Sequence, residues 1–256
     1  MSQYNQADEG GKQTACMRCK KDCMLEVHTH DVSDCLAASA TNEFEAAFRV
    51  CIHDELPISR MGYELLPQDL NRLADGGLLN DKIINVYFEI VSKYSTQAVH
   101  SFSTFFYSAL RSRGVEWVQR WTSEVNIFDN KLIFIPVHVP GHWCLVVMDV
   151  EEMQLEYYDS LGTADMQVVD FVIEYLRAEW CRVCGDGFKI SIKPMKDIPQ
   201  QQNGTDCGVF VCMYARYRLE KNSKWFRSNE IKSLRKAILH EIMAGRIIYL
   251  VPHVLG

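Results

Sequence analysis

No apolar run in this chain reaches the ~20 residues that a membrane-spanning helix needs; the longest, "KLIFIPV" and "WCLVVMDV", stop well short. The opening residues, "MSQYNQADEGGKQ", lack the basic start and apolar stretch of a secretory leader, so an intracellular site is expected. No run of five basic residues occurs and the net charge is −6, which argues against bulk nucleic-acid binding. The ten cysteines do not form the dense, regular framework of a small secreted scaffold, so free thiols in a reducing compartment are expected. No internal repeat is present. What remains is an ordinary globular composition, 48% hydrophobic and 23% charged, over a length that suits one large domain with an appendage.

The chain divides by composition near residue 60. Residues 1–60 are polar and hold Cys16, Cys19, Cys23, Cys35 and Cys51. Apart from a short amphipathic stretch, "NEFEAAFRV", they read as a flexible tail. The "CMRCKKDC" cluster with His28, His30 and Cys35 has some metal-ligand character. His28 and His30 are too close for the second ligand pair of a usual zinc site, and no metal is expected.

Residues 61–256 are patterned throughout. "LLPQDLNRLADGG" predicts a short helix with Pro at its start and Gly at its end. "NDKIINVYFEIVSKY" predicts a helix capped by Asn80 or Asp81, with Ile83, Tyr87, Ile90 and Tyr94 on one face. "SFSTFFYSALRSRGVEWVQRW" predicts one or two more. The period then changes, and "KLIFIPVHV", "HWCLVVMDV" and "QLEYYDS" read as strands separated by turns. "ADMQVVDFVIEYLRAEW" returns to helix, "FKISIKP" is a fourth strand, and helices from Cys207 and over "SNEIKSLRKAILHEIM" complete an α+β domain.

One stretch carries chemistry. In "IPQQQNGTDCGVFVC", Cys207 stands between a turn at Asn203-Gly204 and an apolar helix. A thiol at a helix N-terminus meets unpaired N–H groups and the positive end of the dipole, and both favour thiolate. A cysteine nucleophile needs a base, and the base needs an orienting group. His142, at the start of a strand after Pro140-Gly141, is the best base among eight histidines. A hairpin folded near Glu151-Glu152 returns Asp159 beside His142, where a carboxylate would hold the imidazole. Gln201, six residues before Cys207, offers an amide to a developing oxyanion, with the Cys207 N–H as second donor. His138, four residues before His142, is a candidate cleft residue. Cys144 and Cys212 read as buried filler, and Cys181 and Cys184 as free thiols in a surface connection.

"GHWCLVVMD", "YYDSLG" and "PQQQNGTDCGVFVC" together resemble the Ulp family of SUMO-specific (sentrin-specific) cysteine proteases. "LLNDKIIN", "FSTFFYSAL", "RWTSEVNIF" and "LRKAILHEI" resemble family segments in the same order, over roughly residues 60 to 250. The resemblance implies a papain-like fold of the Ulp type, with a short mixed or antiparallel central sheet flanked by helices. It implies a His142–Asp159–Cys207 triad with Gln201 in the oxyanion hole, and no cofactor. It implies cleavage after a C-terminal Gly-Gly, releasing SUMO from lysines and maturing its precursor. Trp143 matches the aromatic that roofs a narrow glycine channel. Leu78 stands in "LLND" where the family usually has a second roof tryptophan. Phe102, in "FSTFF", falls in a segment that contacts the modifier's body, and Ser123-Glu124 stand where the family often has basic residues. The partners implied are SUMO and its conjugates, for a monomer in the nucleus or cytoplasm. Three other readings stay open on the sequence: the same chemistry directed at Nedd8 or ubiquitin, a catalytically silent SUMO-binding module, and an acetyltransferase with a related triad.

Overall fold

The computed structural model describes residues 57–74, 76–220 and 225–248. The metal-like cysteine and histidine cluster and the "NEFEAAFRV" helix lie outside them. Two short strands, β1 (Ile58–Arg60) and β2 (Tyr63–Leu65), form an antiparallel hairpin. The Arg60 guanidinium donates to Met243 O at 3.0 and 2.6 Å, so β1 is tied to the chain's last described helix. The expected boundary at residue 61 therefore falls inside this hairpin, and the domain begins before it.

Helix α1 (Pro67–Ala74) starts on its proline, where a missing N–H costs nothing. Helix α2 (Asp81–Lys93) is capped by Asn80, whose Oδ1 accepts from Ile83 N at 3.2 Å. Its apolar face, including Ile83, Tyr87 and Ile90, is buried. Strand β3 (Val99–Ser101) leads to α3 (Phe105–Arg113) and the single turn α4 (Val115–Val118).

The sheet continues with β4 (Leu132–Val139), β5 (His142–Asp149), β6 (Gln154–Tyr158) and, after helix α5 (Met166–Val183), β7 (Ser191–Pro194). Strand order is β3-β4-β5-β6-β7. The three inner strands are antiparallel and both edge strands pair in parallel, so the sheet is mixed. Alternation sorts the side chains: Ile133, Ile135, Val137, Cys144, Val146 and Met148 face a core shared with α3 and α5. Helix α6 (Cys207–Leu219) packs against β5 and is apolar almost all round, which is the pattern of a helix buried on every side. Helix α7 (Ile231–Ala244) packs beside α1 and α2. Arg218, near the end of α6, bonds Asp149 Oδ2 at 2.6 Å and Glu156 Oε2 at 2.7 Å, anchoring that end to β5 and β6. Among the described residues, no helix is long and apolar enough to cross a membrane.

Candidate active site

The β5–β6 register brings the acid to the base. Asp149 faces Gln154 and Leu145 faces Tyr158. One step beyond that last pair, Asp159 lies across from Cys144, so it meets His142 on the diagonal, from the same face of the sheet. The His142 Nε2 to Asp159 Oδ1 distance is 2.7 Å. Asp159 is buried and held further: Oδ1 accepts from Leu161 N at 2.8 Å and Oδ2 from Thr163 Oγ1 at 3.5 Å. At the other end of His142, the Pro140-Gly141 turn reverses the chain with Gly141 at φ +77°, a conformation natural to glycine.

Cys207 opens helix α6, one residue after its N-cap, Asp206. It is 2% exposed. Burial pushes the Cys207 thiol up, but the hydrogen bond from His142 and backbone donation from Trp143 and Gly208 outweigh it, and the net shift is below the ordinary value. The same pair raises His142 to about 9, through its hydrogen bonds to Asp159 first and Cys207 second, against the opposing effect of burial. Both shifts favour a resting thiolate–imidazolium pair near neutral pH. The residue after Cys207 has to be small: a Cβ on Gly208 would lie 2.7 Å from Leu79 Cβ.

Gln201 is fixed through its amide. Its Oε1 accepts from Ser160 Oγ at 2.6 Å and its Nε2 donates to Asn203 O at 2.6 Å. Its backbone N–H donates to Ser160 O at 2.9 Å, and Tyr214 Oη donates to Pro199 O at 2.5 Å just upstream. Since Asn203 O can only accept, the amide orientation is chemically determined, and one Nε2 hydrogen remains for a further acceptor. Ser160 follows Asp159 directly, so Gln201 is tied to the turn that carries Asp159.

A cleft of about 350 Å³ runs over the thiol, lined by Leu78, Leu79, Phe105, His138, Trp143 and Cys207 among others. Trp143 is 9% exposed, donates Nε1–H to Leu79 O at 3.1 Å, and meets the His138 ring at 4.4 Å between centroids. Leu78 is 49% exposed at the cleft. The structure thus brings Cys207, Trp143, His138 and Leu78 to one cleft and links His142 and Asp159 to the thiol by hydrogen bonds; Gln201 is not among the cleft's lining residues.

Phe102 does not belong to that surface. It is 4% exposed, stacks on Phe106 at 3.9 Å and meets Tyr175 edge-on at 5.7 Å. The physical reason is that Phe102 N bonds Phe134 O, extending β3 and turning the ring into the α3–α5 core. The exposed aromatic of the segment is Phe105, at 56%. Helical spacing held the signal: Phe106 and Leu110 share the buried face, and Phe105 stands one position off it. Ser123 and Glu124 are exposed, beside the exposed Trp121.

Among the described residues, His142, Cys144 and Asp159 place metal-type donor atoms within 4.8 Å of one another. The donor set suits a hydrogen-bonded triad better than an ion. Burial pushes the Cys144 thiol up to about 12, Tyr157 Oη donates to its sulfur at 3.2 Å, and His142 Nε2 is already engaged by Asp159.

Comparison with known proteins agrees with this geometry. Residues 78–247 match the Ulp1 protease family, C-terminal catalytic domain. The chain is 34% identical over 205 residues to sentrin-specific protease 2 of Mus musculus, covering 76% of this chain and 35% of the relative. It is 34% identical over 201 residues to a sentrin-specific protease of Caenorhabditis elegans, covering 75% of this chain and 29% of the relative. The chain thus spans about a third of the length of these curated relatives. Among solved structures, the C-terminal Ulp1 protease domain in complex with Smt3, the yeast ortholog of SUMO, superposes with a TM-score of 0.70 at 25% identity, covering 80% of this chain and 95% of that one. The SUMO protease Ulp1 with its catalytic cysteine oxidised to a sulfenic acid gives 0.70 at 26% identity, covering 82% and 97%.

Proposed function

The chain belongs to the Ulp1 protease family, and we propose that it is a cysteine protease of SUMO. It cleaves after the modifier's C-terminal Gly-Gly, releasing SUMO from lysine conjugates and maturing the precursor. The observation that carries this is the 2.7 Å His142–Asp159 bond beside a thiol whose acidity is raised at the N-terminus of α6.

The Cys207 thiolate attacks the carbonyl carbon of the last glycine. Charge develops on the carbonyl oxygen and is met by the Cys207 N–H and the remaining Gln201 Nε2 hydrogen. The His142 imidazolium gives its proton to the departing amine, a lysine Nζ or a peptide nitrogen, as the C–N bond breaks. Water, deprotonated by the now neutral imidazole, then hydrolyses the thioester and restores thiolate and imidazolium. Asp159 holds the ring orientation throughout. Trp143 and Leu78 cover the extended tail, and glycines are required beneath them because any side chain would meet the roof.

The printed names of the relatives and the Smt3 complex support SUMO over Nedd8 or ubiquitin. A silent binding module would need neither the hydrogen-bonded triad nor the lowered thiol. A monomer acting inside the cell, in the nucleus, completes the proposal. Its test is labelling of Cys207 by C-terminal activity probes built on SUMO, Nedd8 and ubiquitin, with Cys207→Ala as blank. Preferential reaction with SUMO is expected; preferential reaction with either other modifier, or with none, refutes it.

A further inference from the structure

Arg235, in the second turn of α7, is 4% exposed, far from where a charged side chain normally sits. All five of its N–H donors are engaged, and they reach two separate segments. Nε and Nη2 donate to Asp206 Oδ1 at 3.0 and 2.5 Å, and Nη2 also donates to Thr205 O at 3.2 Å. Nη1 donates to Arg72 O at 3.0 Å and Gly77 O at 2.9 Å.

Each segment leads to a different part of the cleft. From Asp206, Oδ2 accepts from Asn203 Nδ2 at 2.6 Å, and Asn203 O accepts the Gln201 amide at 2.6 Å. The chain of bonds from Arg235 therefore ends on the oxyanion donor and passes the residue just before Cys207. From Gly77, the backbone runs directly into Leu78 and Leu79. Leu79 O accepts from Trp143 Nε1 at 3.1 Å, and Leu78 O accepts from Arg72 Nη1 at 3.1 Å. A lysine could not reproduce this. Its ammonium is one point with three donors, whereas the planar fork serves both segments at fixed spacing.

We propose that Arg235 is a positioning residue that holds the oxyanion turn, residues 201–207, in register with the loop, residues 77–79, that roofs the channel. The carbonyl presented by the roof and the donors that must meet it then keep one relative position, and a misplacement of about 1 Å can cost roughly 10²-fold in rate. The effect on turnover rests on the protease function proposed above; the positional claim does not.

The test uses Arg235→Lys and, in case that variant does not fold, Asp206→Asn. Three readouts are taken on the full chain: kcat and KM for a SUMO-tail reporter, alkylation of Cys207 by iodoacetamide, and hydrogen–deuterium exchange over residues 72–80 and 201–209. For either variant, exchange should rise in both segments together while β5 and α2 stay protected. The kcat should fall at least about tenfold, the scale of a small misplacement, while alkylation, which needs neither oxyanion donor nor roof, stays within about twofold. In a Gln201→Ala background the same substitution should lower kcat by a smaller factor than in the wild type, because one of its routes to the site is already cut. Unchanged exchange, exchange rising in only one segment or across the whole core, or an equal kcat loss with and without Gln201 overturns the proposal. If the wild-type chain alkylates normally but turns over no SUMO tail, the substrate assignment fails, and the exchange result alone decides the role of Arg235.

Discussion

The floor of the cleft and its rim are neighbours built by opposite means. On the floor, Asp159 and Cys207 are 6% and 2% exposed, and the polar atoms of the triad have partners inside the chain. On the rim, Leu78 and Phe105 are 49% and 56% exposed, apolar, and open to solvent. A buried polar group without a partner costs about 1–3 kcal/mol, so the floor must be completed by the chain itself. An exposed apolar side chain carries no such demand, and its use lies in what it covers when a partner arrives. Changes on the floor should therefore alter rate with little change in affinity, and changes on the rim should do the reverse.

Cys207→Ser tests the floor hardest. The oxygen is nearly the same size but a poor nucleophile without further activation, so kcat should fall by at least ~10⁴-fold while modifier binding persists. Residual turnover within about tenfold of wild type, measured with a SUMO-tail reporter, removes Cys207 as nucleophile. Asp159→Asn comes next. An amide still bonds the ring but favours the wrong tautomer, and kcat should drop by ~10³–10⁴-fold with KM little changed.

The same variant has a pH signature. Wild-type turnover should decline as pH rises through about 9, where the His142 imidazolium loses the proton it gives to the leaving amine. The bond to Asp159 is the largest cause of that elevation, so Asp159→Asn should move the alkaline limb to lower pH. The sign for stability follows from the same shift. His142 is raised in the fold, so its contribution is fully present below its ordinary 6.5 and is lost as pH rises through about 9. Gln201→Ala is the mildest change on the floor. It removes the proposed oxyanion donor and should lower kcat by roughly 10²-fold; a change confined to KM would move Gln201 from the oxyanion to substrate positioning.

The floor was legible in the sequence because it follows from local rules. Hairpin arithmetic between His142 and Asp159 needs only the period of a strand and the place of a turn, and the position of Cys207 needs only a helix start. The register still refined it: Asp159 reaches His142 diagonally, because Tyr158 pairs with Leu145. Strand β3 was not legible. Its three residues, Val99–Ser101, are too few for a period, and its parallel pairing with β4 is set by contacts about 30 residues away. The Phe102–Phe105 exchange on the rim has the same origin. Which aromatic of "FSTFF" faces the core depends on where β3 ends and α3 begins, and element boundaries are the least determined feature of a sequence. Arg235 was equally hidden, since its partners come from residues 72–77 and 205–206, far from it in the chain.

The smallest expected effect, and the one that belongs wholly to the rim, concerns Leu78. It lines the cleft together with the buried Trp143, has half its surface in solvent, and its carbonyl is pinned by Arg72. Its backbone is therefore fixed while its side chain is free to change size. Leu78→Trp adds flat aromatic area over an extended glycine tail, which should contribute about 0.5–1.5 kcal/mol, or roughly two- to twelvefold in kcat/KM. A wider roof also leaves less room for a side chain beneath it, so the gain should vanish when the penultimate glycine of the tail is replaced by alanine. The wild-type enzyme, with the smaller Leu78, should tolerate that alanine better than the variant does. Measuring kcat/KM for both enzymes on both tails closes a double-mutant cycle. A coupling of zero would mean that the exposed side chain of Leu78 never lies over the tail, and that Trp143 and His138 cover it without Leu78.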